Sequence, residues 1–166
     1  MLNSLRNNKL LFDTVWFFRR LAGITPESIN KSYHKKQSPI LIDKYLSQHT
    51  LRKLQIGAQS NSISDWLNVD IEPKAKDVAY MDATKPFPFA DQTFDYVFSE
   101  HMIEHISFAE GQFMIRECYR VLKPGGKIRI STPDLAFLIE LYKQPKLPVQ
   151  EAYIQASIGR YFKNPV

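Results

Sequence analysis

The residues of this chain best suited to chemistry lie at the ends of short apolar runs. Phe94-Asp95-Tyr96-Val97-Phe98-Ser99 reads as a strand, and it runs directly into Glu100-His101-Met102-Ile103-Glu104-His105. A glycine, Gly57, follows another apolar run at Leu54 and Ile56, and a carboxylate, Asp70, closes a third at Leu67 and Val69. In an open α/β sheet, ligands bind in the crevice at the carboxyl ends of the strands, so polar groups collected there point to a site. Imidazole titrates near neutral pH, which makes His101 a candidate base for a substrate hydroxyl. Asp70 can accept two hydrogen bonds from a vicinal diol such as ribose, or can simply open a turn before Pro73. A residue without a side chain at Gly57 lets the backbone approach a ligand closely, and an ordinary tight turn would also use it.

His101, Glu104 and His105 have a spacing that, on a helix, places two imidazoles and a carboxylate on one face, as a divalent ion would require. The same letters spell the H-x-x-E-H motif of one zinc peptidase group. That group needs a further acidic ligand far downstream and a long helix, whereas this motif follows a strand and the sequence ends soon after. The plainer expectation is that Glu104 caps backbone amides and His105 packs under the sheet, with no metal.

These residues need a scaffold, and the pattern supplies one. Strands are expected at Leu54 to Ile56, Leu67 to Ile71, Val78 to Met81, Phe94 to Ser99 and Lys127 to Ser131. Ser107-Phe108-Ala109-Glu110 is a capping box, so a helix should run from Phe108 to about Leu122 with Met114, Ile115, Cys118, Val121 and Leu122 on its apolar face. Thr132-Pro133 should open another helix through Leu141. About ten residues separate the first two strands, too few for a crossover helix and its two loops, so a loop or a single turn is expected there. Thr84-Lys85-Pro86-Phe87-Pro88-Phe89 reads as a stiff loop, with Phe89 expected in the core and Phe87 either beside it or over a ligand.

The segments "FDYVFSEHMIEH" and "ECYRVLKPGGKIRISTPD", together with "LQIGAQSNSISDWLNVDI" and "DATKPFPFADQTFD" upstream, resemble class I S-adenosylmethionine-dependent methyltransferases, in particular the small proteins with a type 11 methyltransferase domain. The resemblance covers roughly Leu51 to Leu135. It implies a Rossmann-like, doubly wound, mostly parallel α/β sheet of about five strands and S-adenosyl-L-methionine as cofactor. It also implies a cofactor set of Gly57, Ala58, Gln59, Asp70, Ile71, Asp82, Ala83, Ser99 and Glu100, with Asp70 at the ribose and Asp82 at the adenine. His101 is the catalytic candidate, and the flanking pattern argues further against a peptidase. The family usually carries Gly-x-Gly in the first loop, and this chain has Gln59 at the second glycine position. The implied reaction is methyl transfer to an oxygen, nitrogen or carbon of a small-molecule acceptor, such as a sugar or lipid-linked glycan. The alternative is a decayed module that binds a nucleotide-like ligand or a partner protein without catalysis.

Domain organisation reads as an N-terminal helical extension, residues 1–50, followed by the methyltransferase domain, residues 51–166. The extension carries Leu5, Phe12, Val15, Trp16 and Phe18 with Arg19-Arg20 after them, Gly23 as a helix cap, Pro26 as the next start, and a short helix opened by Ser38-Pro39 bearing Ile40, Leu41, Tyr45 and Leu46. Packing on the sheet is favoured for it over peripheral membrane contact. The family's final edge hairpin is missing, so the chain is either truncated or a reduced variant that completes its sheet as a homodimer. Net charge is +5, moderately basic, and no Lys/Arg run interleaves with aromatics, so specific nucleic-acid binding is not expected. A single cysteine, Cys118, excludes an internal disulfide. No apolar run reaches about 18 residues and no export signal is apparent, so a cytoplasmic location is expected.

Overall fold

The computed structural model describes residues 25–141 and 145–161. The amphipathic stretch from Leu5 to Gly23, with Arg19 and Arg20, lies outside them. The chain forms two compact units, Met1–Ser131 and Thr132–Val166.

The first unit is built on helix α1 (Pro26–Gln48), strands β1 (Lys53–Ile56), β2 (Leu67–Asp70), β3 (Val78–Tyr80) and β4 (Phe94–Glu100), a 3-10 turn (Ile103–His105), helix α2 (Phe108–Val121) and strand β5 (Leu122–Ser131). The strands form one sheet in the order β3-β2-β1-β4-β5, and every neighbouring pair is parallel. Such an order comes from chain reversal after β3, which places the switch point between β1 and β4, where open α/β sheets hold their ligands. The expected Rossmann-like sheet is thus present, with a loop instead of a helix between β1 and β2.

Parallel strands buried on both faces read as continuous apolar runs. β2 is buried at all four positions. Leu54, Ile56, Val69 and Val97 stand side by side across β1, β2 and β4 and form the core with Met114, Cys118 and Val121 of α2. Phe87 and Phe89 are both in that core; Phe89 packs edge-to-face on Phe94 at 4.9 Å between ring centroids. Phe87 is therefore core, the alternative its sequence left open. The α2 helix starts on the expected capping box, with Ser107 N donating to Glu110 Oε2 at 2.9 Å and Glu110 N to Ser107 Oγ at 3.4 Å. Ile115 does not join its buried face; it is exposed, because the buried row steps Gly111, Met114, Cys118, Val121.

Four boundaries in this unit differ clearly from expectation. Pro39 does not open a helix but lies inside α1, which begins at a Thr25–Ser28 capping box with Pro26 in the first turn. An interior proline costs about 3 kcal/mol in a helix. Here α1 is held along its length: Asn30 Nδ2 donates to Pro73 O at 3.0 Å, His34 Nδ1 lies 3.2 Å from Val78 O, and Tyr80 N donates to Ser38 Oγ at 2.6 Å. Beyond the proline, Ile42 and Tyr45 enter the core and Ile40 is exposed. β5 starts at Leu122 rather than Lys127, since Leu122 pairs with Phe94 before the register shifts and resumes at Tyr96–Lys127. Gly125 at φ +79° and Gly126, where a Cβ would lie 2.9 Å from Lys123 O, make that excursion. Met81 and Ile71 fall just outside their strands, and Ile71 is exposed.

The second unit carries α3 (Leu135–Glu140) and α4 (Pro148–Tyr161). α3 is opened by Asp134, which accepts from Ala136 N at 2.9 Å and Phe137 N at 3.3 Å, rather than by Thr132-Pro133. Phe137 and Tyr153 meet edge-to-face at 5.3 Å. Among the described residues, no helix is long and apolar enough to cross a membrane.

Candidate functional site

The chain leaves β1 at Gly57 with φ +86°, a conformation that side chains disfavour. Gly57 N and Ala58 N both donate to Val69 O, at 3.0 and 3.1 Å. Gln59 follows at φ +45°, so the position the family fills with glycine is left-handed here as well, at a cost of about 1–2 kcal/mol for a residue with a Cβ. The loop is fastened to β2 by a side chain: Gln59 N donates to Asp70 Oδ2 at 2.9 Å, while Asp70 Oδ1 accepts from Glu72 N at 2.6 Å. The second bond turns the chain sharply after β2, which is why Ile71 leaves the strand. Lys74 N returns to Gln59 O at 3.0 Å. Asp70 is buried, yet a carboxylate has about four acceptor sites, and two amides leave capacity for a diol.

Asp82 stands one strand further along, tied to β2 through Met81 N donating to Asp70 O at 2.9 Å. Burial opposes its ionisation, but hydrogen bonds from the Thr84 hydroxyl at 2.7 Å and amide at 3.0 Å, with Lys85 and Lys31 nearby, outweigh that and hold its carboxyl below the usual range. Asp82 lines a cavity of about 460 Å³ together with Lys35, Ser38, Ile42, Tyr80 and Lys85. Gly57 and Asp70 do not line that cavity. Ala58 and Ala83 are buried.

At the end of β4, Ser99 is fully buried and Glu100 is exposed. The Ser99 and Ser131 hydroxyls, at the carboxyl ends of β4 and β5, are buried without a hydrogen-bond partner among the described residues. Unspent polar capacity of this kind asks for an explanation, and a bound polar ligand is one. His101 takes φ +49°, and its amide donates to Ser131 O at 3.0 Å. The ring is mostly exposed, with Nδ1 3.2 Å from Glu104 Oε1. Glu104 thus meets an imidazole, and His105 is exposed rather than packed under the sheet. The left-handed turn keeps His101 out of the short 3-10 segment, none of whose residues is buried. Among the described residues, no three His, Cys, Asp or Glu side chains cluster as metal ligands.

The structure thus ties Gly57 to Val69 and Gln59 to Asp70, sets Asp82 just beyond the adjoining strand β3, and places Ser99, Glu100 and His101 across the switch point. Residues 47–130 match the family profile described as a methyltransferase domain. The chain belongs to that family. S-adenosyl-L-methionine is the family's methyl donor. A 45-residue stretch is 47% identical to phosphoethanolamine N-methyltransferase 2 of Caenorhabditis elegans, covering 27% of this chain and 10% of that protein. This chain thus aligns with about a tenth of its curated relative. Solved structures similar to it include a SAM-dependent methyltransferase from Archaeoglobus fulgidus, 20% identical with TM-score 0.47 over 87% of this chain and 73% of that one. Another is the PH0226 protein of Pyrococcus horikoshii, 24% identical with TM-score 0.45 over 68% and 61%.

Two contributors were missed from sequence. Thr84 sits two residues after Asp82, an Asp-x-Thr spacing from which its bonds were legible. Arg120 was legible only as a partner of Glu117 one turn before it, because its other partners lie about 30 residues away. Its guanidinium holds Glu117 at 2.7 and 2.8 Å, Asp91 at 2.8 Å, Phe89 O at 2.8 Å and Phe87 O at 3.2 Å. It thereby pins the loop that runs from Asp82 to β4.

Proposed function

We propose that this methyltransferase domain binds S-adenosyl-L-methionine across the ends of β1, β2 and β4 and transfers its methyl group to a small-molecule acceptor. The observation that carries the reading is the Asp70 carboxylate fastening the Gln59 amide at 2.9 Å, which joins the glycine loop to the diol-binding position. The residues fit the group. Asp70 would hold the ribose hydroxyls, Asp82, kept ionised by Thr84, would accept from the adenine amino group, and Ile71 and Ala83 would flank the base. Gly57, Ala58 and Gln59 would lie along the amino-acid arm, and Ser99 and Glu100 would form the floor. The cofactor supplies an electrophilic methyl group; the chain supplies position, and orientation alone accounts for much of the rate in such transfers.

His101 would manage the proton. Glu104 engages its Nδ1, which leaves Nε2 as the atom to accept a proton from an acceptor hydroxyl or ammonium. The likeness to a phosphoethanolamine N-methyltransferase makes a phosphorylated amine the first acceptor to try, beside sugar hydroxyls. Calorimetry with S-adenosylmethionine and S-adenosylhomocysteine tests the cofactor, and transfer of labelled methyl to fractions of a cell extract finds the acceptor. Saturable binding of both ligands is expected; no heat with either at millimolar concentration refutes the reading.

A further inference from the structure

We propose that Met102 is the positioning residue of the cofactor loop, setting affinity for the amino-acid arm of the cofactor far more than for the adenosine end; this rests on the reading above. An ideal Cβ built on Gly57 would lie 2.9 Å from Met102 Cβ and 3.0 Å from its Cγ. Non-bonded carbons prefer about 3.5–4.0 Å, so Met102 already fills the space a side chain at 57 would need. The Cβ is fixed by the backbone and survives in alanine; the Cγ at 3.0 Å is the part of the wall that truncation to alanine removes. Met102 is a wall of the loop rather than a swinging lid.

What holds that wall is also defined. The left-handed turn at His101 folds the chain after β4 back toward β1, and His101 N donating to Ser131 O anchors the turn on β5. Met102 O accepts from His105 N at 3.0 Å, and its side chain packs against the hydrophobic core. The loop at 57–59 is therefore bounded on two sides. On the β2 side it is held by hydrogen bonds to Val69 O and Asp70 Oδ2, and on the β4 side the Cβ and Cγ of Met102 occupy the space beside Gly57. Asp82 hangs on the loop after β3, and Asp70 is fixed on β2 with one oxygen held by Glu72 N and only the other reaching the loop at Gln59 N, so Met102 bears mainly on the amino-acid arm. The same contact ties the cofactor loop to His101, one residue away from the wall.

The test compares two ligands on three proteins by calorimetry. S-adenosylhomocysteine carries the amino-acid arm, and 5′-methylthioadenosine lacks it. Met102→Ala is expected to weaken S-adenosylhomocysteine about tenfold and to change 5′-methylthioadenosine by less than about twofold, with Met102→Leu restoring the wild-type values. Should Met102→Ala melt below the assay temperature, Met102→Val, which keeps a Cγ against Gly57, is read in the same way, with a smaller but still selective loss. A parallel loss for both ligands, or unchanged or tighter S-adenosylhomocysteine, overturns the proposal. Wild-type protein that binds neither ligand refutes the cofactor reading itself, and the Met102 assignment with it.

Discussion

Replacing Asp70 is expected to damage the fold and the site together. Its two oxygens accept backbone amides from Gln59 and Glu72 at 2.9 and 2.6 Å. A hydrogen bond to a charged group contributes about 1.5–3 kcal/mol, and a buried donor left unmade costs about 1–3 kcal/mol. Asp70→Asn keeps one acceptor but turns an NH2 toward the other amide. Asp70→Ala abandons both, and water at the rim offsets part of the loss, so about 3 kcal/mol is the expected cost. At about 2–4 °C per kcal/mol for a chain of this size, Asp70→Ala should melt roughly 6–12 °C below wild type. Asp70→Asn should fall between them. Binding of S-adenosylhomocysteine should drop by more than the melting shift explains, because the diol also loses its acceptor. Differential scanning calorimetry and titration at a temperature where all three proteins are folded separate the two effects. An Asn variant that melts within about 2 °C of wild type, on the same scale, and binds normally would refute the reasoning.

Arg120→Lys should destabilise nearly as much as Arg120→Ala, by about 2–4 kcal/mol in urea melts, since an ammonium cannot reproduce a fork that serves two carboxylates and two carbonyls. The Arg120 hydrogen bond holds the Glu117 carboxyl below its usual range, against the opposing effect of burial. That stabilisation is full above the ordinary carboxylate range and is lost as pH falls through the lowered folded value, so Glu117→Gln should flatten the acid limb of a stability–pH curve. Gln59→Gly should raise thermal stability by up to about 1 kcal/mol by relieving the left-handed conformation; a fall would show that the Gln59–Lys74 contact matters more. Burial pushes the Cys118 thiol up to about 12, so Ellman's reagent at pH 8 should label it only on unfolding.

The strands and α2 were legible because each has a local signature. β2 and β4 are apolar runs that stop at a polar residue, and the α2 start is a box of four adjacent letters. Phe108 to Val121 needed nothing from elsewhere in the chain. Pro39 misled because its local preference was overruled by contacts made some 40 residues away, Ser38 with Tyr80 and His34 with Val78. The site divides in the same manner. Gly57, Asp70 and Asp82 could be found as strand-end residues, whereas His101's left-handed turn, the Met102 contact and the Arg120 fork depend on elements that only the folded sheet brings together.

The way α1 lies on β3 has a consequence for colloidal behaviour. An outer strand normally presents a row of amides and carbonyls that any extended peptide can zip onto. On this flank the row is already engaged: a serine hydroxyl takes the Tyr80 amide, and the His34 ring meets the Val78 carbonyl. Self-templated growth from this border would first have to peel a 23-residue helix away, so filament formation here is gated by detachment of α1 rather than by collision.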